Sequence, residues 1–495
     1  MICPKPQSSD VYYHLLQAEN IRNHRFRLPL KHPQFILPGE YVYPPGYHYL
    51  LALFPKNIRE EFEKLSSALF DTLLVALFLW VADETLRSLG WNTASLFLLG
   101  LSFTFSPGLV GLGIGPRAYE GTPRTLGELQ TAGVFLCLWK YWSSGDWIWV
   151  MIAITIGSLL LNTSKFGGQV LLFFCLLIAS LVNSTTLLIF PLLCIIGAIV
   201  VSSGNYWRIL VNQVAHLHLY ATQLVDLHPT TLIRKKLVWP RNTKELASYF
   251  LFNNVYGLLM IKYSVPLIVI TLLADQAIFN KPSPLGLFLV AWLVSAFSIF
   301  IIVSCHVLLF LGEADRYLEH ALIPAFLLFG SFIQDDYRYL VLSGFVVFHL
   351  ALYVLHVSLL VHGQRKSYVN SLPELIAALK SQKPTVILSL LGNAPWELVY
   401  RADHKLFFSE SMTRVYFNKE EFKRLFWRYP LPRPDMKYYI EKYQIGLIPV
   451  AKHVVETSKK KGCYYDFSGL DKVFENNDYA LYQVRNSNNL MSENA

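Results

Sequence analysis

Cysteine is scarce in this 495-residue chain and forms no pattern where it occurs. The six cysteines stand at positions 3, 137, 175, 194, 305 and 463, mostly inside apolar runs and never in a C-x-x-C spacing. That indicates neither a disulfide framework nor a cysteine zinc site. The N-terminus has no basic segment followed by an apolar one, so no cleavable signal peptide is read there. A phosphate-cradling P-loop, an internal repeat and a low-complexity tract are also missing. Gly111 to Gly115 offers only a small-residue pattern suited to helix packing. Charged residues make up 16% of the chain and collect outside the apolar runs, giving a modest formal charge of +9. This balance suits anionic headgroups or phosphates as partners. It supplies no basic stripe for nucleic acid.

What the chain has is apolar length. It is 53% hydrophobic and 15% aromatic, with a mean hydropathy of +0.36. Runs long enough to cross a hydrocarbon core recur from Leu65 to Val361, and unpaired backbone amides are too costly in lipid for them to be anything but helices. The expected spans are Leu65–Leu86, Ala94–Ile114, Leu126–Trp142, Trp147–Leu161, Gly168–Val182, Leu187–Val201, Phe250–Leu273, Leu285–Leu311, Tyr317–Phe332 and Leu340–Leu360, about ten in all. From His362 the composition becomes that of a soluble domain. Thr385–Leu391 and Ile445–Ala451 read as strands, Asn418–Tyr429 as a helix opened by an Asn418–Glu421 capping box, and the flanks of Asn476-Asn477-Asp478 as a hairpin. The expectation is a polytopic α-helical membrane protein with a small C-terminal soluble α/β domain: a loop region over residues 1–64, a helical membrane domain over 65–361 and the α/β domain over 362–495.

The polar connections hold the candidate chemistry. In Ser8-Ser9-Asp10-Val11-Tyr12-Tyr13-His14, Ser9 or Asp10 suits a helix cap, and Asp10, His14 and Gln17 then share one face while Val11, Leu15 and Ala18 share another. In Gly39-Glu40-Tyr41-Val42-Tyr43-Pro44-Pro45-Gly46-Tyr47-His48, two prolines and a glycine impose a sharp turn that aims Glu40 and its tyrosines back at that helix. Arg117, Glu120 and Arg124 crowd a short loop. Lys165, between two spans, suits either a phosphate or a lysine reaching from a helix end to the headgroups. Glu313, Asp315, Arg316, Glu319 and His320 cluster at a membrane boundary, an expensive density unless it faces an aqueous cavity. Gly204–Ala247, with His216, His218, His228 and Arg234-Lys235-Lys236, reads as a surface loop with amphipathic helices. An even number of spans puts all these clusters on one side.

Three motifs together resemble the GT-C superfamily of polyprenyl-phosphate-sugar-dependent membrane glycosyltransferases, which includes protein O-mannosyltransferases, the lipid A aminoarabinose transferase and oligosaccharyltransferase catalytic subunits. Asp10-Val11-Tyr12-Tyr13-His14 is similar to the acidic motif of the family's first extracytoplasmic loop. Tyr43-Pro44-Pro45-Gly46-Tyr47-His48 is similar to its Y-P-P turn, and Arg316-Tyr317 with Pro324 to an R-Y…P element. The soluble end also resembles that of many members. The resemblance implies a multi-pass protein of the plasma (inner) membrane, with its loops outside, that moves a hexosyl or pentosyl group from a polyprenyl-phosphate donor to an extracytoplasmic lipid, glycan or protein. It implies Asp10 as base with His14 orienting it, Glu40 and Glu120 steering acceptor hydroxyls or a divalent cation, and Arg316, Arg117, Arg124 or Lys165 on the donor phosphate. Tyr43, Tyr47 and His48, with Glu120, would meet sugar. From position alone Asp10 fits a helix cap equally well. Two departures stand out: members carry a membrane helix before the first acidic loop, and no D-x-D pair is present to carry over a metal requirement. The missing helix leaves a non-catalytic variant open. The competing function is a transporter or flippase-like carrier of a lipid-linked or anionic solute, for which paired charges or broken helices at mid-membrane and two similar halves are expected.

Overall fold

The computed structural model describes residues 9–37, 41–110, 122–219, 221, 260–276, 284–304, 306–312, 314–367, 371–391, 395–408, 423–428 and 431–485. The membrane domain is built from α3 (Lys56–Leu86), α4 (Thr93–Thr104), α5 (Pro107–Val110), α6 (Pro123–Ser144), α7 (Trp147–Leu161), α8 (Lys165–Val182), α9 (Thr185–Val201), α10 (Asn205–Leu219), α11 (Ser264–Gln276), α12 (Pro284–Ser304), α13 (Arg316–Glu319), α14 (Leu322–Phe332) and α15 (Arg338–Ser367). Among the described residues five helices are long and apolar enough to cross a membrane, and four shorter apolar helices accompany them. The protein is an integral membrane protein. Inward faces interlock through rings, as where Phe78, Phe103 and Phe326 meet at centroid distances of 4.2 to 6.1 Å. Outward faces are bare leucine, isoleucine and valine, with Leu340 74% and Val200 72% exposed. Lipid is the solvent that makes such exposure tolerable.

Several expected boundaries move. α3 begins at Lys56 and runs through residue 64, and α15 runs through residue 361, so neither expected domain boundary falls between elements. The span read over Tyr317–Phe332 is two pieces, the single-turn α13 and the 11-residue α14. At 1.5 Å per residue α14 reaches only about 16 Å, half a hydrocarbon core. The region from Gly204, read as a surface loop with amphipathic helices, opens with the 15-residue α10, whereas His228 and Arg234 to Lys236 lie outside the described residues.

The soluble domain has a six-stranded sheet in the order β1-β3-β2-β6-β8-β7. Its strands are β1 (Phe35–Leu37), β2 (Val386–Ile387), β3 (Lys405–Phe408), β6 (Ile445–Ala451), β7 (Leu470–Glu475) and β8 (Tyr479–Val484). The first four in spatial order run parallel, and β8 and β7 close the far side as an antiparallel hairpin. The strand at 445–451 and the hairpin agree with the sequence reading. Of the helix expected over 418–429, residues 418–422 and 429 lie outside the described residues, 423–425 are helical, and Phe426–Arg428 is strand β4, paired antiparallel with β5 (Leu431–Pro432). Pro430 and Pro432 cannot continue a helix, and the chain turns back to bury Phe426.

The edge strand β1 comes from the N-terminal region, pairing Phe35 with Leu406 and Leu37 with Phe408. Helix α1 (Ser9–Asn23) covers the same sheet, its Val11, Leu15 and Leu16 packing with Leu375, Trp396, Leu398 and Leu447. At roughly 1.5–3 kcal/mol for each large apolar side chain withdrawn from water, this seam is an integral part of the soluble core. Polar contacts fix its register. Arg401 donates to Tyr12 Oη at 2.6 Å and lies over its ring, and Tyr400 Oη donates to Glu60 Oε1 at 2.8 Å, reaching the first turns of α3. Trp396→Ala is expected to destabilise the protein by about 3–5 kcal/mol, because it empties the space against Tyr13, 5.4 Å away between ring centroids. Thermal melting in detergent measures it.

Candidate functional site

Helix α1 is buried on nearly every side from Val11 to Ala18, because it is sandwiched between the soluble sheet and α2 (Gly46–Ala52). His14 is therefore partnered inside the protein. His14 Nδ1 lies 2.8 Å from His48 Nε2, and Tyr41 Oη bonds the other nitrogen of His48. The expected Asp10–His14 pairing is replaced by this His14–His48–Tyr41 chain, and His14 cannot orient Asp10 as read from the sequence. Tyr47 and His48, expected to meet sugar, have no exposed surface, and Tyr47 Oη bonds Ser66 Oγ at 2.9 Å. The two prolines turn them inward.

Burial holds the histidines here neutral: His14 and His32 are pushed down to about 3, and His48 well below its ordinary value. A histidine whose folded pKa is depressed contributes stability that is complete above its ordinary value of 6.5 and drains away as pH falls towards 3. Melting temperature is thus expected to fall steadily below about pH 6.5. His32 stacks on Tyr41 at 4.9 Å with neither ring nitrogen hydrogen-bonded, so His32→Phe should keep the stack and flatten that slope. A melting series across pH checks both statements.

The Y-P-P turn docks on the membrane domain through Gly46. Its amide donates to Asn162 O at 2.7 Å, and a Cβ there would stand 2.6 Å from Thr163 Oγ1. Asn162 and Thr163 form the turn that launches α8, with Ser164 capping it through Gly167 N. This contact sets Tyr43 beside Lys165, the first residue of α8, whose ammonium lies 4.7 Å from the centre of the Tyr43 ring. Gly46→Ala is expected to cost about 1–3 kcal/mol and to displace Tyr43, measured as lost thermal stability.

Asp10 differs from its neighbours on α1. It is the second residue of the helix, inside the first turn, and its side chain is exposed to solvent. Protein surrounds it at longer range. This desolvation raises its carboxyl above the usual carboxylate range, and the Arg316 guanidinium pulls it back down. Tyr43 feels the same two charges: burial and Asp10 raise its hydroxyl, and Arg316 lowers it. Asp10, Tyr43 and Arg316 are thus within electrostatic reach of one another, and Lys165 lies over the Tyr43 ring. Tyr317, next to Arg316, donates to Gln169 Oε1 at 3.2 Å, which ties α13 to α8 one turn beyond Lys165. Lys165 and Gln169 line a groove of about 190 Å³ between α8, α9 and α10, together with Gln213 and mostly apolar residues such as Leu172, Phe173, Ile195 and Leu210.

Behind Arg316 lies a buried ionic network. Arg124 forks onto Glu319, with its Nε 3.2 Å from Oε2, and also lies 3.4 Å from Glu128. Its guanidinium is committed inside the protein, so the expected role on the donor phosphate does not fit its position. Lys262 bonds Asp315 at 3.4 Å and Glu319 at 3.1 Å with its side chain wholly buried. Sequence reading passed over this lysine, although a cation inside an expected span was itself a signal. Glu40, Arg117, Glu120 and Glu313 lie outside the described residues. Among the described residues no three His, Cys, Asp or Glu side chains converge as a metal site, and Glu40 and Glu120, expected to steer a cation, are not among them.

No family model and no curated protein matches the chain. Solved structures do match. ArnT from Cupriavidus metallidurans, bound to undecaprenyl phosphate, superposes with a TM-score of 0.54 over 98% of this chain and 94% of its own, at 11% identity. The oligosaccharyltransferase AglB from Archaeoglobus fulgidus, in complex with an inhibitory peptide and a dolichol-phosphate, gives 0.55 over 91% of this chain at 10% identity. The apo form of the Archaeoglobus fulgidus oligosaccharyltransferase gives 0.54 at 12% identity. This chain spans 66% of each of the archaeal chains. At such identities the likeness is one of fold.

Proposed function

We propose that this chain, which has the fold of the GT-C membrane glycosyltransferases, transfers a sugar from a polyprenyl-phosphate donor to an acceptor hydroxyl or amide at Asp10. The carrying observation is that Asp10, Tyr43 and Arg316 are within electrostatic reach of one another, with Lys165 over the Tyr43 ring and lining a mostly apolar groove. In this reading the prenyl tail lies along α8, α9 and α10 and its phosphate meets Arg316 and Lys165. A guanidinium fork and an ammonium stabilise the negative charge that grows on the phosphate as its bond to the anomeric carbon breaks. Asp10 accepts the acceptor proton as the new glycosidic bond forms. Its raised pKa makes it a stronger base than a free aspartate and requires a higher pH to ionise it. Tyr43, held by Lys165, lines the approach. The protein sits in the plasma (inner) membrane as a multi-pass enzyme with Asp10 outside.

Purified protein in lipid nanodiscs, supplied with polyprenyl-phosphate sugars from a membrane extract, tests the reading. Appearance of free polyprenyl phosphate together with a glycosylated acceptor supports it. Movement of intact donor across vesicles with no bond broken would move the assignment to the carrier reading. The buried charges of the ionic network stand near the starts of α6, α11 and α14, and the halves of the chain share no repeat, which favours transfer over carriage.

A further inference from the structure

We propose that Lys262 is a positioning residue that holds Arg316 towards Asp10 by occupying the two carboxylates on either side of it. This rests on the reading of Arg316 as the donor-phosphate group. Helix α13 is four residues long, a single turn with almost no hydrogen-bond ladder of its own, so neighbouring side chains must set its orientation. Asp315 precedes Arg316 and Glu319 lies one turn after it. One ammonium reaches both, at 3.4 and 3.1 Å. Tyr263, the next residue, donates its hydroxyl to the Asp315 carbonyl at 2.8 Å, and Arg124 grips Glu319 from α6. The short helix is thereby pinned at both ends by residues 262 and 263 and at one end by α6.

The charges explain why a lysine is needed there and not only a shape. Asp315 and Glu319 are almost wholly buried, and buried carboxylates draw the nearest cation strongly. Lys262 supplies that cation to both carboxylates, and Arg124 adds a second to Glu319. Without Lys262, Arg316 is an adjacent cation on the same turn and is pulled back into the protein. Lys262 thus acts on the donor only through Arg316. Gly108 supports the arrangement from behind: a Cβ there would come within 3.2 Å of the Lys262 carbonyl and 3.0 Å of Leu322.

The test is a double-substitution cycle on binding of undecaprenyl phosphate by the full chain in nanodiscs, with monodispersity and melting recorded for every variant. Lys262→Gln is expected to weaken binding about tenfold in the presence of Arg316 and to add nothing in an Arg316→Gln background. Lys262→Arg, which keeps the charge, should restore binding to within about threefold of the native chain. Should Lys262→Gln not fold, Tyr263→Phe removes the hydroxyl grip without changing charge and is expected to give a smaller loss, again only while Arg316 is present. If Arg316→Gln itself leaves binding unchanged, the donor-phosphate reading falls, whatever Lys262 does. If Arg316→Gln weakens binding but the folded Lys262→Gln and Tyr263→Phe proteins bind normally, or lose affinity equally in both backgrounds, the positioning role is overturned alone.

Discussion

Replacing Asp10 with Asn is expected to lower sugar transfer by about a hundredfold or more while leaving the protein folded. Asn keeps the size of the side chain and its place in the first turn of α1 but cannot accept the acceptor proton. The direction of the Asp10 shift adds a second signature. An aspartate whose folded pKa is raised contributes stability that is present at low pH and lost as pH rises through that pKa, so the ionised group burdens the native fold at neutral pH. Asp10→Asn should accordingly hold or raise the melting temperature at pH 7 while activity collapses. The same shift requires native activity to fall on acidification from a pH above the ordinary carboxylate range. Unchanged turnover, or a loss of turnover explained by a lower melting temperature, would remove Asp10 from the chemistry.

Arg316→Lys should weaken donor binding about tenfold or more although the charge is kept. A lysine offers a point charge where the guanidinium offers a planar fork, and its shorter reach leaves Asp10 and Tyr43 without the cation that now lowers both. The Asp10 carboxyl should then titrate still higher, so the acid limb of the rate profile moves up in pH along with the loss of affinity. A helix-end anchor predicts neither effect. Equal affinity for undecaprenyl phosphate in the native and Arg316→Lys proteins would refute the assignment.

Part of the site was legible because its motifs are local. Asp10, Tyr43, Lys165 and Arg316 were marked by polar residues beside apolar runs and by likeness to short family motifs; Lys165 lies over the Tyr43 ring, and Asp10 and Arg316 act electrostatically on its hydroxyl. His14, Tyr47, His48 and Arg124 were marked by the same signals and turn out to be internal supports. The difference lies in what packs against them. α1 was read as amphipathic with one solvent face, yet the soluble sheet covers one side and α2 the other, which no period in 15 residues reveals. Lys262 was missed for the complementary reason: its partners are 53 and 57 residues away.

The sequence by itself determined the membrane setting, the positions of most helices, the soluble end with its strand at 445–451 and closing hairpin, and the placing of charge at helix ends. Each follows from local physics: apolar length against bilayer thickness, prolines that end helices, and strand alternation. Only the tertiary structure decided that the N-terminal region is part of the C-terminal domain, through β1 on the sheet edge and α1 on its face. It alone decided which charges neutralise one another inside. Parallel strand pairing and buried ion pairs join residues hundreds of positions apart, as Phe35 to Leu406 and Arg124 to Glu319, and their energy depends on distances that exist only once the chain has folded.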